Sequence, residues 1–307
     1  MSRTIDQVVP ATVTATITRL IGTVDIDGNG TSHPLAEVDP FILLDMGKIP
    51  KHNMPPFGAH PHRGHSVVTI LLQGQVKSWD SCTGDDATLV LKAPSAYWVD
   101  AASGVFHDEK SVIDDESDPT QHMELFQLWI GVREEDRQKP PRVQHDSDLV
   151  PLELKDTNNA IVGSGLYYVG GPNSNIETPH PISVCLVQQT KGTTYRHPVD
   201  ATHGGFVVHR SGSPSFAGTT PPNVNDVLVL NNRDNASEYL EVTTTPEEGA
   251  EYLICTGEKN NEKWYKKLVA NGAIITSTPE EAQELAPKVE AMSKAGKAGG
   301  SFAPFGV

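Results

Sequence analysis

Alternation is the property of this chain that most limits its fold. Residues 11–24 read Ala-Thr-Val-Thr-Ala-Thr-Ile-Thr-Arg-Leu-Ile-Gly-Thr-Val, β-branched and with a period of two. Successive side chains of a strand point to opposite faces, so this pattern predicts a half-buried β-strand and not an amphipathic helix. Comparable runs occupy 66–72, 88–92, 124–132, 161–169, 182–189, 205–209, 226–230 and 252–255. Turn-forming clusters stand between them: Asp27-Gly28-Asn29-Gly30, Gln73-Gly74, Thr83-Gly84-Asp85, Gly170-Gly171-Pro172-Asn173 and Arg210-Ser211-Gly212-Ser213. With 26 glycines and 23 prolines among many short strands, an all-β barrel or sandwich architecture is expected.

At 307 residues the chain exceeds one ordinary domain and suits two. His60-Pro61-His62-Arg63-Gly64, followed by an apolar strand and Gly74, is echoed by His197-Pro198-Val199, an apolar strand and Gly212, which agrees with a duplicated barrel. Residues 134–151, charged and proline-bearing, read as a linker crossing the surface. A helix is expected only near the C-terminal end, where Thr278-Pro279-Glu280-Glu281 combines an N-cap threonine, proline at the first helical position and a capping-box glutamate. It should run towards Met292, with Pro287 kinking or breaking it, and residues 294–300 should form a flexible tail.

Acidic residues outnumber basic ones 39 to 24, a formal charge of −15, which argues against nucleic-acid binding through a broad basic surface. Three cysteines cannot build a disulfide scaffold and fit a reducing compartment. Cys82 lies in a turn-like stretch, whereas Cys185 and Cys255 sit in apolar runs as core residues. No apolar run approaches the roughly 20 residues a bilayer requires, and the start lacks a signal-peptide core. A soluble cytoplasmic protein is expected, and acidic pairs such as Glu134-Glu135 and Glu247-Glu248 read as solvated surface.

Chemistry is concentrated in the histidines. Of 12, eight precede residue 150 and none follows His209. His60 and His62, two apart on a strand, share a face about 6.5–7 Å apart along the backbone and can converge on one ion. His107 and Glu109 repeat the spacing with a second pair of ligand types. Brought together, three imidazoles and one carboxylate suit a first-row metal such as iron, manganese, nickel or copper. Six-coordinate geometry would leave positions for water, oxygen or substrate. No thiolate cluster points to structural zinc.

The same residues carry a resemblance. His60-Pro61-His62-Arg63-Gly64 and the pattern Trp98-x-x-Ala101-x-x-Gly104-x-x-His107-x-Glu109 strongly resemble the signature regions of pirins, a branch of the cupin superfamily. Phe126-Gln127-Leu128-Trp129-Ile130 and Pro140-Pro141-Arg142-Val143-Gln144 look like further pirin landmarks, and the likeness grows faint after residue 145. It implies two cupin barrels in tandem with a short C-terminal helix: residues 1–145 binding the metal and 146–307 without metal ligands. It also implies His60, His62, His107 and Glu109 as the ligands, with iron foremost and manganese, nickel, copper or cobalt as alternatives. Val199 in place of a second histidine fits a metal-free second barrel. The chain departs from the pirin pattern at His65 and Ser66, where an aromatic and a glutamate are usual. Alternation places Ser66 on the His62 face unless a bulge intervenes, so loss of the carboxylate should alter the surroundings of the ligands. His65 reads as exposed or hydrogen-bonded and not as a fifth ligand; Trp98 and Trp129 read as packing residues.

Some pirins resemble quercetinases, which open a flavonol ring with molecular oxygen and release carbon monoxide. That resemblance implies a small flat aromatic substrate for a monomeric enzyme, with Glu109 as the catalytic proton acceptor. The alternative it implies is an iron-dependent, redox-sensing co-regulator that binds a protein partner, nuclear as well as cytoplasmic in a eukaryote. The negative charge makes any such role one of protein contact.

Overall fold

In the computed structural model, residues 2–14, 17–25, 32–34, 38–50, 58–84, 88–112, 121–231, 238–299 and 302 are described. The chain forms two compact units, one from Met1–Asp45 with Asp148–Lys259, the other from Met46–Ser147 with Asn260–Val307. The sequence suggested two contiguous halves, 1–145 and 146–307; the units instead exchange their terminal segments. Ile5–Val9 pairs antiparallel with Val227–Leu230, carrying the first segment into the barrel of the later half. Arg3, fully buried, donates to the carbonyls of Asn231 and Asp200 at 3.2 and 2.7 Å and fastens that segment. Gly272–Thr276 lies parallel to His60–Arg63, so the last segment completes the barrel of the earlier half. Periodicity within a run cannot show this, because both pairings join runs far apart in sequence.

Each unit is a cupin-type barrel, as the resemblance implied. In the first, seven strands run in the order Ile5–Val9, Val227–Leu230, His203–Gly212, Ala250–Glu258, Ile182–Gln189, Ile161–Val169, Leu152–Lys155. Tyr239–Thr244 stands between Thr194–Pro198 and Pro214–Phe216 in a second sheet, and Val187, Val207, Phe216, Leu240 and Ile254 fill the core. Cys185 and Cys255 are buried and free, as expected of core residues. His197 is buried here as well, beside the rings of Tyr167 and Tyr195.

Burial holds the His197 imidazole down at about 4, whereas in an unfolded chain it titrates near 6.5. Between those values only the unfolded chain takes up the proton. Stability is therefore full above pH 6.5, falls as the pH drops to about 4 and levels off below, losing about 3 kcal/mol through this residue. Urea unfolding from pH 7 to 4 should show a shallower loss for His197→Phe than for the unaltered protein; equal slopes would refute the assignment.

In the second unit one sheet runs Thr88–Lys92, Gln75–Asp80, Val105–Ser111, His60–Arg63, Gly272–Thr276, Tyr265–Val269. Facing it are Arg142–Asp146, Ser95–Asp100, His65–Gln73 and His122–Gly131 in that order. Val67, Leu71, Val76, Tyr97, Val99, Val105 and Leu125 pack between them. The stretch 134–151 is not a bare linker: it opens with a 3-10 turn at Glu134–Asp136, and Arg142–Asp146 pairs with Ser95–Asp100. Buried Arg137 anchors it, donating to the Val132 carbonyl, to Ser277 at 2.8 Å and to Glu262 at 3.2 Å.

One helix is found among the described residues, Pro279–Gly299. The Glu281 amide donates to Thr278 Oγ1 at 3.2 Å while its carboxylate accepts from the Ser277 amide at 3.1 Å, a shifted form of the predicted cap. The helix neither breaks at Pro287 nor stops at Met292, and residues 294–299 continue it as helix, not tail. An interior proline costs about 3 kcal/mol. Good helix formers flank it, and Val289 with Leu285 and Ala286 packs on Val269 and Ile274. Beyond the helix, Phe302 lies against Phe106 with ring centroids 4.9 Å apart. No helix among the described residues is long and apolar enough to cross a membrane. The predicted turn at residues 27–30 lies outside the described residues, as does Asp85 of the turn predicted at 83–85.

Candidate metal centre

Two neighbouring antiparallel strands build the site. His60–Arg63 pairs with Val105–Ser111 in a register that sets His60 opposite His107 and His62 opposite Val105. Side chains two apart share a face, so His60, His62, His107 and Glu109 all belong to the interior face. Three of the four come together: ligand nitrogens of His60, His62 and His107 lie within 4.8 Å of one another. The Nε2 atoms of His60 and His107 are 3.0 Å apart, and the ring centroids are separated by 4.5–5.0 Å. Glu109, on the same face, is not part of that 4.8 Å group. Its Oε1 accepts from Thr69 Oγ1 at 2.7 Å, and Thr69 also reaches Gln127 at 3.2 Å. Burial pushes the Glu109 carboxyl up to about 7, against the pull of the Thr69 hydrogen bond and with the push of Asp108.

All three imidazoles are held uncharged. Burial lowers His60, and it lowers His62 and His107 well below the ordinary histidine value, with mutual repulsion adding to the effect. Neutral imidazole is the metal-binding form. His60 Nδ1 donates to the Gly58 carbonyl at 2.8 Å, which leaves its Nε2 with a bare lone pair. His62 Nε2 and His107 Nδ1 are buried without a hydrogen-bond partner. An orphaned polar atom in a core costs about 1–3 kcal/mol, and a cluster of three imidazoles carrying two such atoms fits a first-row transition ion. Among the described residues, the other unit assembles no comparable group.

His65 and Ser66 lie opposite to the simple alternation. Gly64 adopts φ +76°, and a Cβ there would stand 2.1 Å from the Ile275 carbonyl oxygen, so only glycine fits. This turn shifts the phase of the strand by one residue. His65 therefore joins Val67, Thr69 and Leu71 on the interior face, and Ser66 leaves it. Ser66 Oγ donates to Asp100 at 2.6 Å, and Trp98 Nε1 donates to the same oxygen at 2.8 Å. The serine thus lies on the face away from the histidines, and the expected change beside the ligands arises from His65 instead. His65 is fully buried, with Nε2 3.0 Å from His62 Nδ1 and Nδ1 3.0 Å from the Arg63 carbonyl. Trp129 packs on the rings of both His62 and His65, at 5.2 and 5.1 Å. Thr69 was not singled out from the sequence, although its odd-numbered place on the strand after Gly64 marks its side once the phase is known.

Known proteins resemble this chain in sequence and fold. Residues 23–130 fit the family model described as Pirin. A Pseudomonas aeruginosa protein bearing a provisional quercetin 2,3-dioxygenase name is 28% identical over 256 residues, 80% of this chain and 83% of that protein. The crystal structure of a quercetin 2,3-dioxygenase from Acinetobacter baumannii superposes with a TM-score of 0.73 at 21% identity, covering 100% of both chains. A bacterial pirin from Escherichia coli, solved in complex with nickel(II), superposes with a TM-score of 0.57 at 14% identity, covering 82% of this chain and 95% of that one. These superpositions bear out the two-barrel fold.

Proposed function

We propose that this pirin-like chain is a metal-dependent dioxygenase that opens a flavonol or a similar enol-bearing flat aromatic with molecular oxygen. The observation that carries the reading is the convergence of three uncharged imidazoles, two buried and one half-buried, with a ligand nitrogen left unpartnered. His60, His62 and His107 would hold the metal, iron foremost, with Glu109 as the fourth ligand and proton acceptor. Bound there, the metal would supply Lewis-acid polarisation of a substrate oxygen and one-electron chemistry towards dioxygen. The quercetin dioxygenase names of the Pseudomonas and Acinetobacter proteins support the substrate class, and the nickel in the Escherichia pirin supports a transition ion.

The protein's share of the work follows from its interior. Glu109, steadied by Thr69, shares the face of His107 and accepts the substrate's enol proton at its carboxylate. Val67, Leu71, Val105 and Leu125 line an apolar interior that excludes water, and Trp129 bounds the His62 side. One flavonol and one dioxygen are consumed, and a ring-opened ester with carbon monoxide carries all their atoms.

Metal-loaded protein should consume oxygen with quercetin, and Glu109→Ala should lower that rate by at least about 100-fold. Elemental analysis should return a transition metal in the purified chain. Absence of uptake after loading iron, manganese, nickel, copper and cobalt in turn would overturn the enzymatic reading. Binding to a basic protein that follows iron oxidation state would then favour the co-regulator.

A further inference from the structure

We infer that His65 is a positioning residue: it fixes the His62 ring so that Nε2, and not Nδ1, is presented to the metal. The inference rests on the metal reading above and extends it to a residue outside the ligand set. The assignment runs outward from the backbone. A carbonyl only accepts, so the Arg63 carbonyl requires the proton of His65 on Nδ1. Neutral His65 then has a lone pair on Nε2, which stands 3.0 Å from His62 Nδ1. His62 must therefore donate from Nδ1, and its bare nitrogen is Nε2, the atom that is buried without a partner. Trp129 closes the pair from the side, so neither ring turns freely.

The fold makes this contact deliberately local. Gly64 donates its amide to the Ala102 carbonyl at 2.8 Å, and the Ala101 amide reaches the His65 carbonyl at 3.1 Å, so the backbone on both sides of the phase shift is held. The acceptor is an imidazole that ends on a backbone carbonyl. It leaves His62 a neutral ligand, whereas a carboxylate acceptor would draw the Nδ1 proton and enrich the ring.

The test uses the full chain and two variants. In nitrogen-15 long-range correlation spectra of metal-free protein, His62 is expected as the Nδ1–H tautomer. His65→Phe, which keeps a ring but offers no acceptor, should lose that single tautomer; His65→Gln, whose side-chain carbonyl accepts, should keep it. Cobalt(II) alone, followed by calorimetry, should bind about 10–100-fold more weakly to His65→Phe and within a few-fold of normal to His65→Gln. An Nε2–H tautomer for His62 in the unaltered protein would overturn the inference even if His65→Phe failed to fold. Cobalt binding unchanged in a folded His65→Phe would overturn the positioning role alone. No cobalt uptake by the unaltered protein would overturn the metal reading and the positioning role together.

Discussion

Replacing His62 by alanine is expected to cut transition-metal affinity by more than about 100-fold and to remove oxygen consumption with it. The figure is a floor, because removing a mere hydrogen-bond partner of a ligand typically costs 10–100-fold. Of the three imidazoles, His62 has the most constrained surroundings. Its Nδ1 is committed to His65, its Nε2 has no partner within the protein, and both neighbouring ligand rings lie within 5.0 Å. No other nitrogen can take its place without turning a ring that Trp129 blocks. The fold should survive, since removal of the unpartnered Nε2 offsets the lost hydrogen bond to His65 and only a modest cavity is left. Cobalt calorimetry with circular dichroism checks both halves of the expectation. Full-stoichiometry binding with normal affinity would remove His62 from the site.

Gly64→Ala should have the largest effect on stability. The left-handed backbone at φ +76° costs a non-glycine residue about 1–2 kcal/mol. The new methyl would also stand 2.1 Å from a main-chain oxygen of Ile275, which has no side-chain freedom to move aside. Overpacking of this kind adds about 1–3 kcal/mol, so a total near 3 kcal/mol is expected. That corresponds to a fall of roughly 6–12 °C in Tm for the transition of this unit. Gly58→Ala is the control: its φ is +64°, but nothing lies within 4 Å of the added carbon, so only the backbone cost applies. Equal melting temperatures for the two variants would show that the Ile275 contact is not the cause. Metal affinity should fall with Gly64→Ala and not with Gly58→Ala, because Gly64 sets the phase between His62 and His65.

That phase shift also marks what the sequence conveys and what it withholds. Alternation within 66–72 reports which side chains share a face, and the strand His65–Gln73 agrees with it. It says nothing about which of the two faces meets His62, because one glycine between two strands can exchange them. The two i, i+2 patterns were legible, yet the pairing that sets His60 opposite His107 was not, and neither was the hydrogen bond that Thr69 of the facing sheet gives to Glu109. Helix limits failed for a related reason. Local propensity stops at Pro287, while the contacts of Val289 on Val269 and Ile274 come from the fold.

The parallel pairing of Gly272–Thr276 with His60–Arg63 has a consequence for when the site exists. Translation delivers both histidine-bearing strands within the first part of synthesis, but the strand that covers the open edge of His60–Arg63 emerges more than two hundred residues later. Until then that strand is an unpaired edge, exposed to any other chain in search of a partner. The Ile275 carbonyl that confines Gly64 is missing as well. Until Gly272–Thr276 has been made, the nascent chain therefore carries the three imidazoles without the strand that completes their sheet.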